Sequence, residues 1–236
     1  MVALTLFASP VALAVQPTYG RNLEYAPSYS LNWSGYAVLA GNGAVTAASG
    51  SWTVPAVKCS GGQSYAAFWV GIDGASSGTV EQTGTLGQCF GGVASYSAWY
   101  EFYPAASVTI SSIAVHPGDV FSASVTYSGG TFTLTITDQT TGQSLTKTGT
   151  VSGAQRSSAE CIAERPSIGG SITKLANFGV VGFTQCRATV NGISNSFGSF
   201  AGVTQIDMVG RSGRLLAATS SLSGGSSFTV TWKAAN

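Results

Sequence analysis

Charged side chains are scarce in this chain. They make up 8% of 236 residues, where an average globular protein carries roughly a quarter. Ten Lys and Arg stand against nine Asp and Glu, for a net charge of +1, and the basic residues form no run. That leaves no electrostatic footprint for nucleic acid or an anionic membrane, so neither is expected as a partner. Histidine is rarer still: His116 is the only one. It sits in His116-Pro117-Gly118-Asp119, a turn signature, where a histidine is expected to be solvated. With no other imidazole, Ser-His-Asp and Cys-His catalysis and His-based zinc sites are unsupported together. There is no C-x-x-C pair, no G-x-S-x-G, no phosphate-binding loop and no dinucleotide fingerprint. Paired-aspartate chemistry lacks its D-T-G or D-S-G. No metal and no cofactor is expected.

What is present is Ser, Thr, Gly and apolar residues. Ser and Thr make up about a quarter of the chain, Gly adds 31 residues, and 44% of positions are hydrophobic. That apolar share can bury a core, which argues against disorder. Straight-chain helix formers are few, so the composition points to an all-β protein with an uncharged polar surface, as in secreted proteins. Residues 1–14, MVALTLFASPVALA, are apolar and end in Ala12-Leu13-Ala14, an A-x-A cleavage pattern. This stretch is too short to span a bilayer and is expected to be a signal peptide. Residues 15–30 are expected to be a connector or short pro-segment, and 31–236 a single secreted, monomeric domain. The four cysteines, Cys59, Cys89, Cys161 and Cys186, allow three pairings. The sequence-local pairing, Cys59–Cys89 with Cys161–Cys186, is preferred. Asn32-Trp33-Ser34 is a glycosylation sequon.

Period-two alternation recurs. Thr131–Thr137 places Phe132, Leu134 and Ile136 on one face. Val120–Tyr127 precedes it across Ser128-Gly129-Gly130, a hairpin signal. Strands are expected at 144–151 and 228–232, with about a dozen between Ala37 and Trp232. Many strands with glycine turns mean a sandwich or barrel, and at this length a large two-sheet antiparallel β-sandwich is expected.

The chemistry must therefore come from carboxylates and their neighbours. Asp119 and Asp138 lie in turns, as solvated caps. Trp69 and Asp73 are expected on one strand face, and Glu101 lies between Trp99 and Tyr103 on another. Glu160 and Glu164 share a face but stand about 13 Å apart along a strand. That is beyond the roughly 5–9.5 Å of a glycosidase pair, so a partner must come from another strand. The plain reading of each carboxylate alone is a strand-end salt bridge or a rim residue.

In order along the chain come Asn32-Trp33-Ser34-Gly35-Tyr36, Trp52-Thr53-Val54-Pro55, Trp69-Val70-Gly71-Ile72-Asp73-Gly74, Gln82-Thr83-Gly84, Ala98–Pro104, Thr140–Gln143 and Ala159–Glu164. Together they resemble the glutamic peptidases, or eqolisins, over the chain from about residue 32 onward. The resemblance implies a concanavalin A-like (lectin/glucanase type) sandwich and an acid-acting endopeptidase taking protein or peptide substrates. It implies a catalytic dyad of Gln82 and Glu164, supported by Trp69, Asp73 and Glu101. Glu164 would be general base and then acid, and Gln82 the oxyanion donor. Donor bonds from Gln82 and its neighbours are expected to lower the Glu164 pKa. Glu81, adjoining Gln82, is expected on the opposite face. The chain departs from the fungal pattern at Ser97, Cys161 and Arg165-Pro166, and in a pI of about 7.6. A glycoside hydrolase and a non-catalytic carbohydrate- or protein-binding sandwich remain the alternatives at this point.

Overall fold

The structure is a computed structural model that describes residues 16–26 and 28–236. The expected signal peptide lies outside the described residues. In chain order the strands are β1 (Glu24–Ala26), β2 (Tyr29–Ser30), β3 (Trp33–Leu39), β4 (Val45–Thr53), β5 (Ser64–Ile72), β6 (Val80–Phe90), β7 (Val93–Tyr103), β8 (Val108–Ile110), β9 (Val120–Ser128), β10 (Thr131–Asp138), β11 (Ser144–Gly149), β12 (Ser158–Glu164), β13 (Ser167–Ile168), β14 (Ser171–Ile172), β15 (Val180–Val190), β16 (Ile193–Ser196), β17 (Val203–Val209), β18 (Leu215–Thr219) and β19 (Phe228–Trp232). The expected hairpin is β9–β10, turned by Gly129 and Gly130 at φ 57° and 85°, a region open to glycine at no steric cost.

Two antiparallel layers form. One runs β17–β3–β12–β5–β6–β7–β8. The other runs β11–β10–β9–β4–β15 and continues through β19 and β18 to β17. β17 serves both: Val203–Ile206 pair with β3, and Met208 and Val209 pair with β18. Between the layers lies the main core, where Phe68, Val70 and Ile72 of β5 share a cluster with Trp52, Phe121, Phe132, Leu134 and Phe183. The Trp52 indole donates across the gap to Thr85 Oγ1 at 2.9 Å, which satisfies its one polar atom where no water reaches.

One disulfide forms, Cys59–Cys89. The second expected pairing does not: Cys161 and Cys186 are free, buried thiols. They belong to β12 and β15, strands of opposite layers. Burial, and then the neighbouring Cys186, raises the Cys161 thiol, so the two meet side by side across the core without bonding. Both thiols crowd Gly50, where a Cβ would lie 2.7 Å from Cys161 Sγ and 3.3 Å from Cys186 Sγ.

The turn carboxylates also differ from expectation. Asp138 caps its turn by accepting from the backbone N–H of Thr140 at 2.8 Å, and Asp119 accepts from that of His116 at 2.7 Å. Both are buried rather than solvated, because the backbone donors replace water. His116 is exposed as expected, with Nδ1 3.4 Å from Asp119.

Candidate active site

The outer face of the β3–β12–β5–β6–β7 layer carries a second apolar cluster that includes Trp33, Ala67, Trp69, Leu86, Trp99 and Ile162. Alternation puts Gln82, Gly84, Trp99 and Glu101 on this face and Glu81 on the other. Gln82 pairs in register with Gly71 on one side and Glu101 on the other. Glu164, the last residue of β12, pairs with Trp33 and Ala67. The small residues have a purpose. A Cβ at Gly71 would stand 2.9 Å from the Trp69 ring, and one at Gly84 would strike the Phe68 carbonyl at 2.2 Å. The bulky Trp69 indole fits only because its neighbours lack side chains.

Glu164 is fully buried. Its Oε2 accepts from the Trp69 indole at 2.9 Å, and its Oε1 from Asn32 Nδ2 at 3.3 Å. The nearby backbone N–H of Gly20 also favours its charged form. Burial pushes the Glu164 pKa well above the ordinary carboxylate range, and these donors only partly oppose it. The expected lowering is thus reversed in net direction, and Gln82 is not among the donors. Gln82 Nε2 instead donates to Glu101 Oε2 at 2.8 Å and to the Tyr19 carbonyl. Burial, followed by the charge of Glu164, pushes Glu101 up to about 9. Gln82 and Glu164 thus meet through one peptide group, Tyr19–Gly20. Trp69 and Glu101 touch one member of the pair each.

Asp73 is placed differently. β5 ends at Ile72, and Asp73 turns away with φ 71°. Its oxygens accept from the backbone N–H groups of Arg156 at 2.7 Å and Ser157 at 2.9 Å, which fix the loop leading into β12. The strand-face alternation that linked it to Trp69 stops one residue too early. Glu81, on the inner side as expected, is raised to about 9 by burial and then by the charge of Asp73. Burial also raises Glu160. Neither becomes a salt bridge: among the described residues the His116–Asp119 contact alone has ion-pair geometry.

Three contributors were not singled out from the sequence. Asn32 reads there as a glycosylation site, yet it is 3% exposed and uses its side chain on Glu164, the Arg21 carbonyl and the Leu23 N–H. Trp33 packs edge-on to Trp69 at 4.9 Å. Their place in the Asn32–Tyr36 motif was the available signal. Tyr19, stacked on Trp99 with ring centroids 3.6 Å apart, carried none.

Fold and site together define a β-sandwich with a buried carboxyl and a carboxamide converging on a peptide group. The family model described as "Peptidase A4 family" matches residues 31–232, and the chain belongs to that family, the eqolisins. It is 38% identical to aspergillopepsin-2 of Aspergillus niger over 189 residues, covering 70% of this chain and 66% of that protein. It is 37% identical to scytalidopepsin B of Scytalidium lignicola over 188 residues, covering 74% and 69%. The match therefore spans about two thirds of these relatives' lengths. The fold superposes on scytalido-glutamic peptidase, solved with a transition state analog inhibitor, with a TM-score of 0.74 and 28% identity, over 86% of this chain and 98% of that one.

Proposed function

We propose that this protein is a secreted, acid-acting endopeptidase that hydrolyses protein substrates with Gln82 and Glu164. The observation that carries the reading is the convergence of both side chains on one peptide group, Gln82 at the carbonyl oxygen and Glu164 at the amide nitrogen. Ionised Glu164 takes a proton from the attacking water, and the water oxygen bonds to the carbonyl carbon. Gln82 donates an N–H to the oxygen as negative charge develops, a contribution of about 10²–10³ in rate. Glu164 then passes its proton to the departing nitrogen. The raised pKa suits this second step, because a neutral buried carboxyl is a ready proton donor, and it leaves only the ionised minority of Glu164 to start the first step in acid. Glu101 holds the Gln82 amide so that one N–H faces the cleft. Residues 31–232, which the family model matches, form one catalytic unit.

A sugar-hydrolysing site would pair Glu101 or Asp73 with Glu164 and leave Gln82 turned away; the contact of Gln82 Nε2 with the Tyr19 carbonyl favours the peptidase reading. The binding-only alternative is separated by turnover. Casein or haemoglobin digestion between about pH 2 and 5, with wild type, Glu164→Gln and Gln82→Ala, tests the reading. Each variant should lose turnover while keeping the fold. Full activity in either would overturn the dyad.

A further inference from the structure

Lys and Arg form no run in the sequence, but folding gathers most of them around Asn236. Seven of the ten border two neighbouring cavities, of about 880 and 440 Å³. Arg21, Arg165 and Arg211 border the first, and Lys58, Lys174, Arg214 and Lys233 the second. Asn236 borders both: its side-chain oxygen accepts from Arg165 Nη1, and its carbonyl from Arg214 Nη1 at 3.0 Å. The acids are elsewhere. Seven of the nine carboxylates are buried, and Glu24 is the only one that borders either cavity among the described residues. None of these seven cations has an ion-pair partner among the described residues. Arg165 is itself buried, at 4% exposed, and a buried guanidinium without a carboxylate is costly. The Leu31 carbonyl and Asn236 hold its Nε and Nη1. Burial, and then the charge of Arg211, lowers its pKa to about 10, so it stays charged in acid.

The larger cavity adjoins the site. Arg165 follows Glu164, and its backbone N–H donates to the Asn32 carbonyl at 3.0 Å, while Asn32 Nδ2 donates to Glu164. The layer order tells which side of the scissile bond this is. Gln82, the donor to the carbonyl oxygen, stands on β6, and Glu164, the acid for the departing nitrogen, on β12. Continuing the same way across the layer, β3 and then β17 come next, and Arg211 lies two residues past β17. The cavity therefore lies beyond the departing nitrogen. We infer that this cavity and the basic surface around it bind carboxylate side chains, so that the enzyme selects polypeptides with Asp or Glu on the leaving-amine side of the cut. The inference rests on the Gln82–Glu164 reading. Arg165 offers a held fork to one carboxylate, and Arg211 adds a second cation. Lys174 and Lys233 extend the attraction to residues further along the substrate. Glu81 and Glu101, raised to about 9, keep their protons at neutral pH, so the molecule is more cationic than its formal charge of +1. An acidic polypeptide fits better than another polyanion because the cavity opens beside a peptidase site.

The test uses two synthetic peptides built around a bond that wild type cuts in casein. They are amidated at the C-terminus and differ only in carrying Asp-Asp or Asn-Asn at the second and third positions after the cut. At about pH 5 and low salt, wild type should cut the Asp peptide about tenfold better in kcat/KM, with the change in KM. The preference should fall toward one at about pH 3, where Asp is protonated, and in about 0.5 M salt. Arg211→Gln combined with Lys174→Gln should remove most of it. Both residues are exposed, so the fold is not at risk. Lys147→Gln, on β11 and away from both cavities, should keep the preference. If wild type cuts both peptides equally at pH 5, or Lys147→Gln loses as much as the double variant, the inference falls and the functional reading stands. The same holds if a free C-terminal carboxylate brings the gain and Asp does not, or if an oligonucleotide or sulfated glycan binds the face while Asp gains nothing. If neither peptide nor casein is cut, both fall.

Discussion

Gln82 Nε2 lies 2.8 Å from Glu101 Oε2, and the two residues are direct cross-strand partners of β6 and β7. A glutamine amide can rotate. Anchoring one of its N–H bonds to a neighbouring carboxyl fixes where the other points. On the proposed mechanism Glu101 is therefore a positioning residue for the amide that would serve as oxyanion donor. Glu101→Ala should lower kcat about 10- to 100-fold with little change in KM, since removing a donor outright costs about 10²–10³. Equal losses in KM and kcat, or a lower melting temperature with unchanged kcat, would contradict this role.

The Trp69 indole donates to Glu164 and so favours its ionised form. In Trp69→Phe that donor is gone, and the Glu164 pKa rises further. As the proposed base, Glu164 must be ionised to act, so the acid limb of the pH–rate profile should move to higher pH. A hydrogen bond to a charged group, worth about 1.5–3 kcal/mol, corresponds to a move of about one pH unit or more. An unmoved limb in an active Trp69→Phe enzyme would separate the indole from the titrating group.

Buried carboxyls also set how stability depends on pH. Glu81 and Glu101 are raised to about 9, against about 4.3 in an unfolded chain. Below the unfolded value both states hold the proton, and the stabilising effect of keeping it is fully present. As pH rises from there toward 9, the unfolded chain releases protons that the folded one retains, and stability is lost. The loss is about 1.4 kcal/mol per unit per group. The melting temperature should therefore fall by on the order of 10 °C between about pH 5 and 7. Glu81→Gln should flatten that slope. A protein that grows more stable toward neutrality would refute the assignment.

The Cys59–Cys89 bridge closes a loop with a sequence separation of 30. Constraining the unfolded chain over that length contributes about 3–4 kcal/mol. Reduction, or Cys89→Ala, should lower stability by about that much in chemical denaturation. Reducing agent should leave the Cys89→Ala variant unaffected, because Cys161 and Cys186 are already thiols. A further response to reductant would reveal a bond between them.

Gly50→Ala puts a methyl group against those two thiols. Overpacking of a closed core costs about 1–3 kcal/mol, so this variant should melt lower while its kcat stays near wild type. Its measured unfolding free energy checks the free-thiol arrangement independently.

The sequence by itself determined the fold class, because scarce charge, abundant Thr and Gly and period-two alternation are local facts. β10 and β19 lie where alternation placed them, and β4–β19 include twelve strands of five residues or more, close to the dozen expected. Gln82, Glu101, Trp69 and Glu164 were legible through their ordered motifs. What sequence could not decide was anything set by contact between distant strands. Asp73 left the face because its strand ended one residue before it. Cys161 and Cys186 met across the core from opposite layers yet remained thiols. The Glu164 pKa moved up because burial outweighed its donors. Tyr19, without a motif of its own, became part of the site only when its segment crossed the sheet and met Trp99, Gln82 and Glu164. Periodicity fixes which way a side chain points along its own strand; only the packed sandwich decides what stands opposite it.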